Sequence, residues 1–194
     1  MPSIQSEPLL EVLKRIAAIL RDGQVEFALA GGLAAWARGG PPTEKDVDIL
    51  IRQEDSERVQ ALARDAGLRV EVPPEGWLVK AWDGDVLIDL IHHPTGFPVD
   101  DELLARCDEL VVYAVQMRVM RIGDLMTSKL LALTEHNLDL GPPLQIARAL
   151  REQIDWDDLW ERTHDSPFAR TFFTLVRDLR LVDGPVPAPR LEVA

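Results

Sequence analysis

The chain has 194 residues, 46% of them hydrophobic and 28% charged, a balance too apolar for disorder and too charged for a membrane-embedded protein. Twenty-one basic against 33 acidic side chains leave a net charge of −12, which disfavours broad coating of nucleic acid or anionic lipid. A single cysteine, Cys107, excludes an internal disulfide framework and a cysteine-rich zinc site.

The apolar spacing of Leu9, Val12, Leu13, Ile16, Ile19 and Leu20 predicts a first helix, with Pro8 in its tolerant first turn and Asp22-Gly23 closing it. Val25–Ala30 reads as a short strand ending at Gly31-Gly32, and Leu33–Arg38 as one or two helical turns broken by Gly39-Gly40-Pro41-Pro42. Asp46–Ile51 is a second strand, and Ser56–Ala66 a helix stopped by Gly67. Leu68–Val72 and Trp77–Trp82 are strands; Asp83-Gly84-Asp85 is a hairpin turn, Val86–Ile91 its returning strand, and Leu110–Val115 a further strand. From Arg121 the pattern becomes helical: Leu125–Glu135, Leu144–Gln153, Trp156–Thr163 and Phe168–Leu179.

These elements divide the chain into an α/β domain over 1–117, a helical subdomain over 118–180 and a Pro-rich tail over 181–194. Net charge is −10, −1 and −1 in the three parts. No apolar run reaches the roughly 18 residues of a membrane span, and the N-terminus lacks a basic-then-apolar signal pattern. A soluble, cytoplasmic protein with no membrane partner is expected.

Three features of the first part carry chemistry. Two glycines after a strand let the backbone turn tightly and offer amides to phosphate oxygens. Asp46 and Asp48, two apart on a strand, point to one face and make an oxygen-rich seat for Mg²⁺. Asp89 lies inside the apolar run Val86–Ile91, where a carboxylate is costly unless a cation or hydrogen bonds meet it.

In order, Ala30-Gly31-Gly32, thirteen intervening residues, Asp46-Val47-Asp48-Ile49 and Ile88-Asp89-Leu90 resemble the nucleotidyltransferase signature of the DNA polymerase β superfamily, over about residues 25–92. The resemblance implies an α/β (α+β) fold: a nucleotidyltransferase-like mixed sheet with flanking helices, followed by a C-terminal helical bundle. It implies that Gly31-Gly32 hold the triphosphate of an NTP, and that Asp46 and Asp48 bind two Mg²⁺ ions, with Mn²⁺ as a substitute. Asp89 would complete one metal site and help deprotonate an acceptor hydroxyl. Two departures stand out. Many members have Ser where this chain has Gly32, and many place Thr or Ser two residues before the first Asp, whereas the nucleotide-loop candidate Thr43 is three before Asp46.

Asp124–Leu133 is similar to the lysine-bearing helix of the toxin-like branch (abortive-infection and MenT-type nucleotidyltransferases), which implies that Lys129 reaches the nucleotide phosphates. The implied activity is metal-dependent transfer of an NMP onto a hydroxyl of tRNA, protein or a small molecule. A toxin of a toxin–antitoxin pair, with an antitoxin partner, is the favoured form. The near-neutral charge of 118–180, with Arg118, Arg121, Lys129, Arg148 and Arg151 as a basic wall, ranks tRNA first. The alternative is a non-catalytic nucleotide- or partner-binding module of the same fold.

Other conspicuous residues read more plainly. His92-His93 are adjacent, so they point oppositely on a strand and suit a loop better than one metal ion. Cys107 has no His or basic cluster beside it and reads as buried and inert. Trp36 packs its short helix, and Trp156, Trp160, Phe168, Phe172 and Phe173 fall at helical spacings that build a bundle core.

Overall fold

The alternating and the helical apolar patterns separate into two compact units, Met1–Arg121 and Ile122–Ala194. The structure is a computed structural model and describes residues 7–43, 46–74 and 76–182.

In the first unit, α1 (Glu7–Asp22) buries Leu9, Leu10, Val12, Leu13, Ile16, Ala17 and Leu20 along one stripe, the spacing that makes a helix one-sided. Its left-handed closing residue is Gln24, at φ 53, rather than Gly23. Gly23 serves close packing instead: a Cβ there would stand 2.3 Å from Leu62 Cδ1, on α3 (Ser56–Asp65).

The first unit also holds one sheet and the short helices between its strands. They are β1 (Phe27–Leu29), α2 (Gly31–Ala37), β2 (Asp46–Ile51), β3 (Arg69–Glu71), β4 (Leu78–Asp83), β5 (Val86–Ile91), α4 (Asp101–Arg106), β6 (Asp108–Val112) and β7 (Val115–Val119). The strand order is β3-β4-β5-β2-β1-β7-β6, a mixed sheet in which β2 runs parallel to β5 but antiparallel to β1, and β1 runs parallel to β7. Val47, Ile49, Ile88 and Leu90 are buried, so the strands that carry the acidic residues are anchored in the core.

The expected strand over 110–115 is corrected: it is a hairpin, in which β6 turns at Tyr113 and Ala114 into β7. Both turn residues are left-handed, at φ 48 and 68, a conformation usually signalled by Gly, Asn or Asp. Because β7 belongs to the sheet, residues 118–121 fall in the first unit.

The second unit contains α5 (Ile122–Leu131), α6 (Gly141–Leu150), α7 (Trp156–Thr163) and α8 (Pro167–Asp178). Phe172 and Phe173 are fully buried, and Trp156, Trp160 and Phe172 meet Phe173 edge to face at 5.0–6.3 Å between ring centres. Asp155 and Ser166 cap α7 and α8 by accepting from the amides of Asp158 and Ala169. Buried Asp124 on α5 receives Arg162 of α7 at 2.8 Å. The expected Pro-rich tail lies outside the described residues beyond Val182.

Candidate active site

Strand alternation puts Asp46 and Asp48 on one face of β2. The parallel register with β5 sets Asp48 directly opposite Asp89 and Asp46 opposite Leu87. One carboxylate oxygen from each of Asp46, Asp48 and Asp89 lies within 4.8 Å of the others. Asp46 and Asp48 are half-buried, whereas Asp89 is 9% exposed. Such a set of hard oxygen donors fits Mg²⁺ or Mn²⁺.

The turn between β1 and α2 closes over this cluster. The Ala30 amide donates to the Asp48 carbonyl at 2.9 Å, tying the turn to β2. Gly31 is required for two reasons. Its φ is +59, and a Cβ would sit 1.7 Å from Asp48 Oδ2, in the space that the carboxylate occupies. Gly32 meets a different neighbour: a Cβ there would come within 2.7 Å of Thr43 Oγ1. The Thr43 hydroxyl thus stands against the turn where a longer side chain at position 32 would go.

Arg38, at the C-terminal end of α2, clamps that helix to the sheet. Its guanidinium donates to the carbonyls of Val119 and Met120 at 2.9 Å and to Asp108 Oδ2 at 2.8 Å. Burial alone would raise the Asp108 carboxyl, but Arg38 and then Arg121 hold it below its ordinary value.

Lys80 went unassigned in the sequence reading. It pairs with Asp89 across the β4–β5 ladder, and its Nζ donates to Asp89 Oδ1 at 2.9 Å. Counting back from the Asp83-Gly84-Asp85 turn, where 83 faces 86, sets 80 opposite 89. That count was available from sequence.

Lys129 is half-buried on α5 of the second unit. His92 is buried just past β5, and its Nδ1 has no hydrogen-bond partner among the described residues. Burial first, and the neighbouring His93 second, lower its pKa. Cys107 is buried and its thiol meets the Leu103 carbonyl at 3.3 Å. No helix among the described residues is long and apolar enough to cross a membrane.

A family model described as "Nucleotidyl transferase of unknown function (DUF2204)" matches residues 9–152. No curated protein matches the chain. Among solved structures, the fold is similar to that of the antibiotic-resistance factor ANT(2'')-Ia in solution: TM-score 0.62, 15% identity, covering 88% of this chain and 95% of that one. It is similar also to the crystal structure of ANT(2'')-Ia with adenylyl-2''-tobramycin, at TM-score 0.52, 19% identity, and 88% and 95% coverage. The lincomycin-bound lincosamide antibiotic adenylyltransferase LnuA gives TM-score 0.51, 15% identity, and 82% and 99% coverage.

Proposed function

The chain belongs to that nucleotidyl transferase family, and on that premise we propose that it moves an NMP from an NTP onto the hydroxyl of an acceptor, releasing pyrophosphate, with bound divalent metal. The observation that carries this reading is the convergence of Asp46, Asp48 and Asp89 beneath the Gly31 turn.

Asp46 and Asp48 would hold Mg²⁺, with Asp89 contributing to one of the ions. When bound, the metal supplies charge neutralisation of the phosphates and a Lewis acid at the reacting phosphoryl group. Asp89, the most enclosed of the three, would take the proton from the acceptor hydroxyl. The Gly31-Gly32 backbone would receive triphosphate oxygens, and Thr43 would supply the hydroxyl that position 32 lacks. Lys129 is proposed as a phosphate contact from the helical unit.

For the acceptor, the division at Arg121 changes the charge balance. Residues 1–121 hold 13 basic and 21 acidic side chains, net −8, and residues 122–194 hold 8 and 12, net −4. Arg118 is paired with Glu26 and Glu109, and Arg121 with Asp108. The basic wall that ranked tRNA first therefore loses two members to the sheet unit. A small hydroxyl-bearing acceptor, neutral or cationic, suits this surface better than RNA.

The experiment incubates the protein with each α-labelled NTP and Mg²⁺ or Mn²⁺, separately with an aminoglycoside and lincosamide panel, total tRNA and cell protein. Asp46→Asn serves as control. Metal-dependent label on a small molecule, absent with the variant, is the expected result. Label on tRNA alone would replace the acceptor assignment and favour the toxin-like form. Wild type that binds NTP but labels no fraction would favour a non-catalytic binding module.

A further inference from the structure

The β4–β5 hairpin brings a cation to the point where the carboxylates meet. Across neighbouring strands the register runs Asp48 on β2, Asp89 on β5, Lys80 on β4 and Glu71 on β3. Directly opposed residues share a face of the sheet, so these four form one charged row, with Lys80 between two acids. It engages Asp89 at 2.9 Å, while Glu71 lies exposed on the edge strand. The Lys80 and Asp89 side chains are 31% and 13% exposed, which leaves the pair only partly screened by water. A lysine serving solubility alone would extend its ammonium into solvent; this one turns it to the cluster.

We propose that Lys80 is a positioning residue of the nucleotidyl-transfer site, holding Asp89 by one oxygen and offsetting one of the three negative charges. The proposal rests on reading Asp46, Asp48 and Asp89 as metal ligands. Two consequences follow from the geometry. With Oδ1 engaged, Asp89 presents its other oxygen in a fixed orientation, a precondition for a group that must meet both metal and acceptor. With the ammonium in place, one negative charge of the cluster is offset, so it attracts free divalent ions less strongly, and metal is taken up mainly together with the nucleotide.

The test titrates the full chain with Mn²⁺ without nucleotide, following free Mn²⁺ by electron paramagnetic resonance, for wild type, K80M, K80R and D48N. K80M should bind Mn²⁺ about ten-fold more tightly, roughly the effect of removing a unit charge several ångströms from a divalent ion even at water's dielectric. K80R should bind as wild type does. In the transfer assay K80M should lose about 10–100-fold in kcat with little change in KM for NTP, the loss typical of a misplaced reacting group. A purely structural lysine would weaken metal binding and stability together. K80M binding Mn²⁺ no more tightly than wild type overturns the proposal. If K80M does not fold, K80Q is read by the same criterion. D48N reports separately on the premise: if it binds Mn²⁺ as wild type does, the metal site itself is misplaced, whatever Lys80 does.

Discussion

Replacing Gly31 by alanine adds a single methyl group at the most crowded point of the site. Two costs arise. The φ of +59 is left-handed, which costs an L-residue about 1–2 kcal/mol. The new Cβ would also lie 1.7 Å from Asp48 Oδ2, 2.5 Å from its Cγ and 2.8 Å from its Cβ. Rotating the Asp48 side chain clears the first two contacts but not the third, so β2 or the turn must shift as well. Overpacking of that kind costs about 1–3 kcal/mol, giving a total of about 2–5 kcal/mol in urea denaturation. Gly84 supplies the internal control: its φ is +60, but nothing lies within 4 Å of its Cβ position. G84A should therefore lose only the conformational part, about 1–2 kcal/mol. Because Asp48 is displaced, G31A should also lose Mn²⁺ binding and at least about 100-fold in transfer, whereas G84A should keep both. Equal stability losses in the two variants, with Mn²⁺ binding intact in G31A, would refute the close approach as the reason for this glycine.

Arg38→Met removes a donor from two carbonyls and from Asp108 Oδ2, leaving Asp108 to Arg121 alone, and should cost about 2–4 kcal/mol in urea denaturation; a loss below about 0.5 kcal/mol would contradict the clamp. Asp108 is held below 3.8 in the fold, so its stabilisation is whole above that pH and is lost as pH falls through the folded value; R38M should flatten this acid limb. His92 is held below 6.5, so the fold keeps it neutral; stability should be full above that pH and decline as pH falls through the folded value, a slope that H92F should remove in urea midpoints between about pH 5 and pH 8. Ala114→Gly relieves a left-handed alanine at φ 68 and should raise stability by about 1 kcal/mol in thermal denaturation.

The carboxylate cluster was legible because polar residues interrupt apolar strands only at a cost. Asp46 and Asp48 alternate with buried Val47 and Ile49, and Asp89 lies between buried Ile88 and Leu90, so the pattern marks both the strand and the face. The β6–β7 hairpin was not legible, since Tyr113-Ala114 carries none of the residues that ordinarily accept positive φ. Missing that turn set the expected boundary at 118, inside β7, whereas the compact units divide after Arg121. The helical onset at Arg121 was legible, but the helix expected over Leu125–Glu135 spans Ile122–Leu131, its first turn burying Ile122 ahead of the Leu125 periodicity.

The two glycines of the turn show how one motif can hide two separate constraints. Gly31 is fixed by its own φ and by the Asp48 carboxylate, so any side chain there displaces that carboxylate directly. Gly32 has no such backbone demand; its Cβ position is closed by the Oγ1, Cβ and Cγ2 atoms of Thr43 at 2.7–2.9 Å. A serine at 32 would have to displace Thr43, and a threonine at 43 already brings a hydroxyl to the same side of the turn. Gly32 and Thr43 thus form a matched pair: the small residue makes room for the hydroxyl that arrives from the other end of the loop.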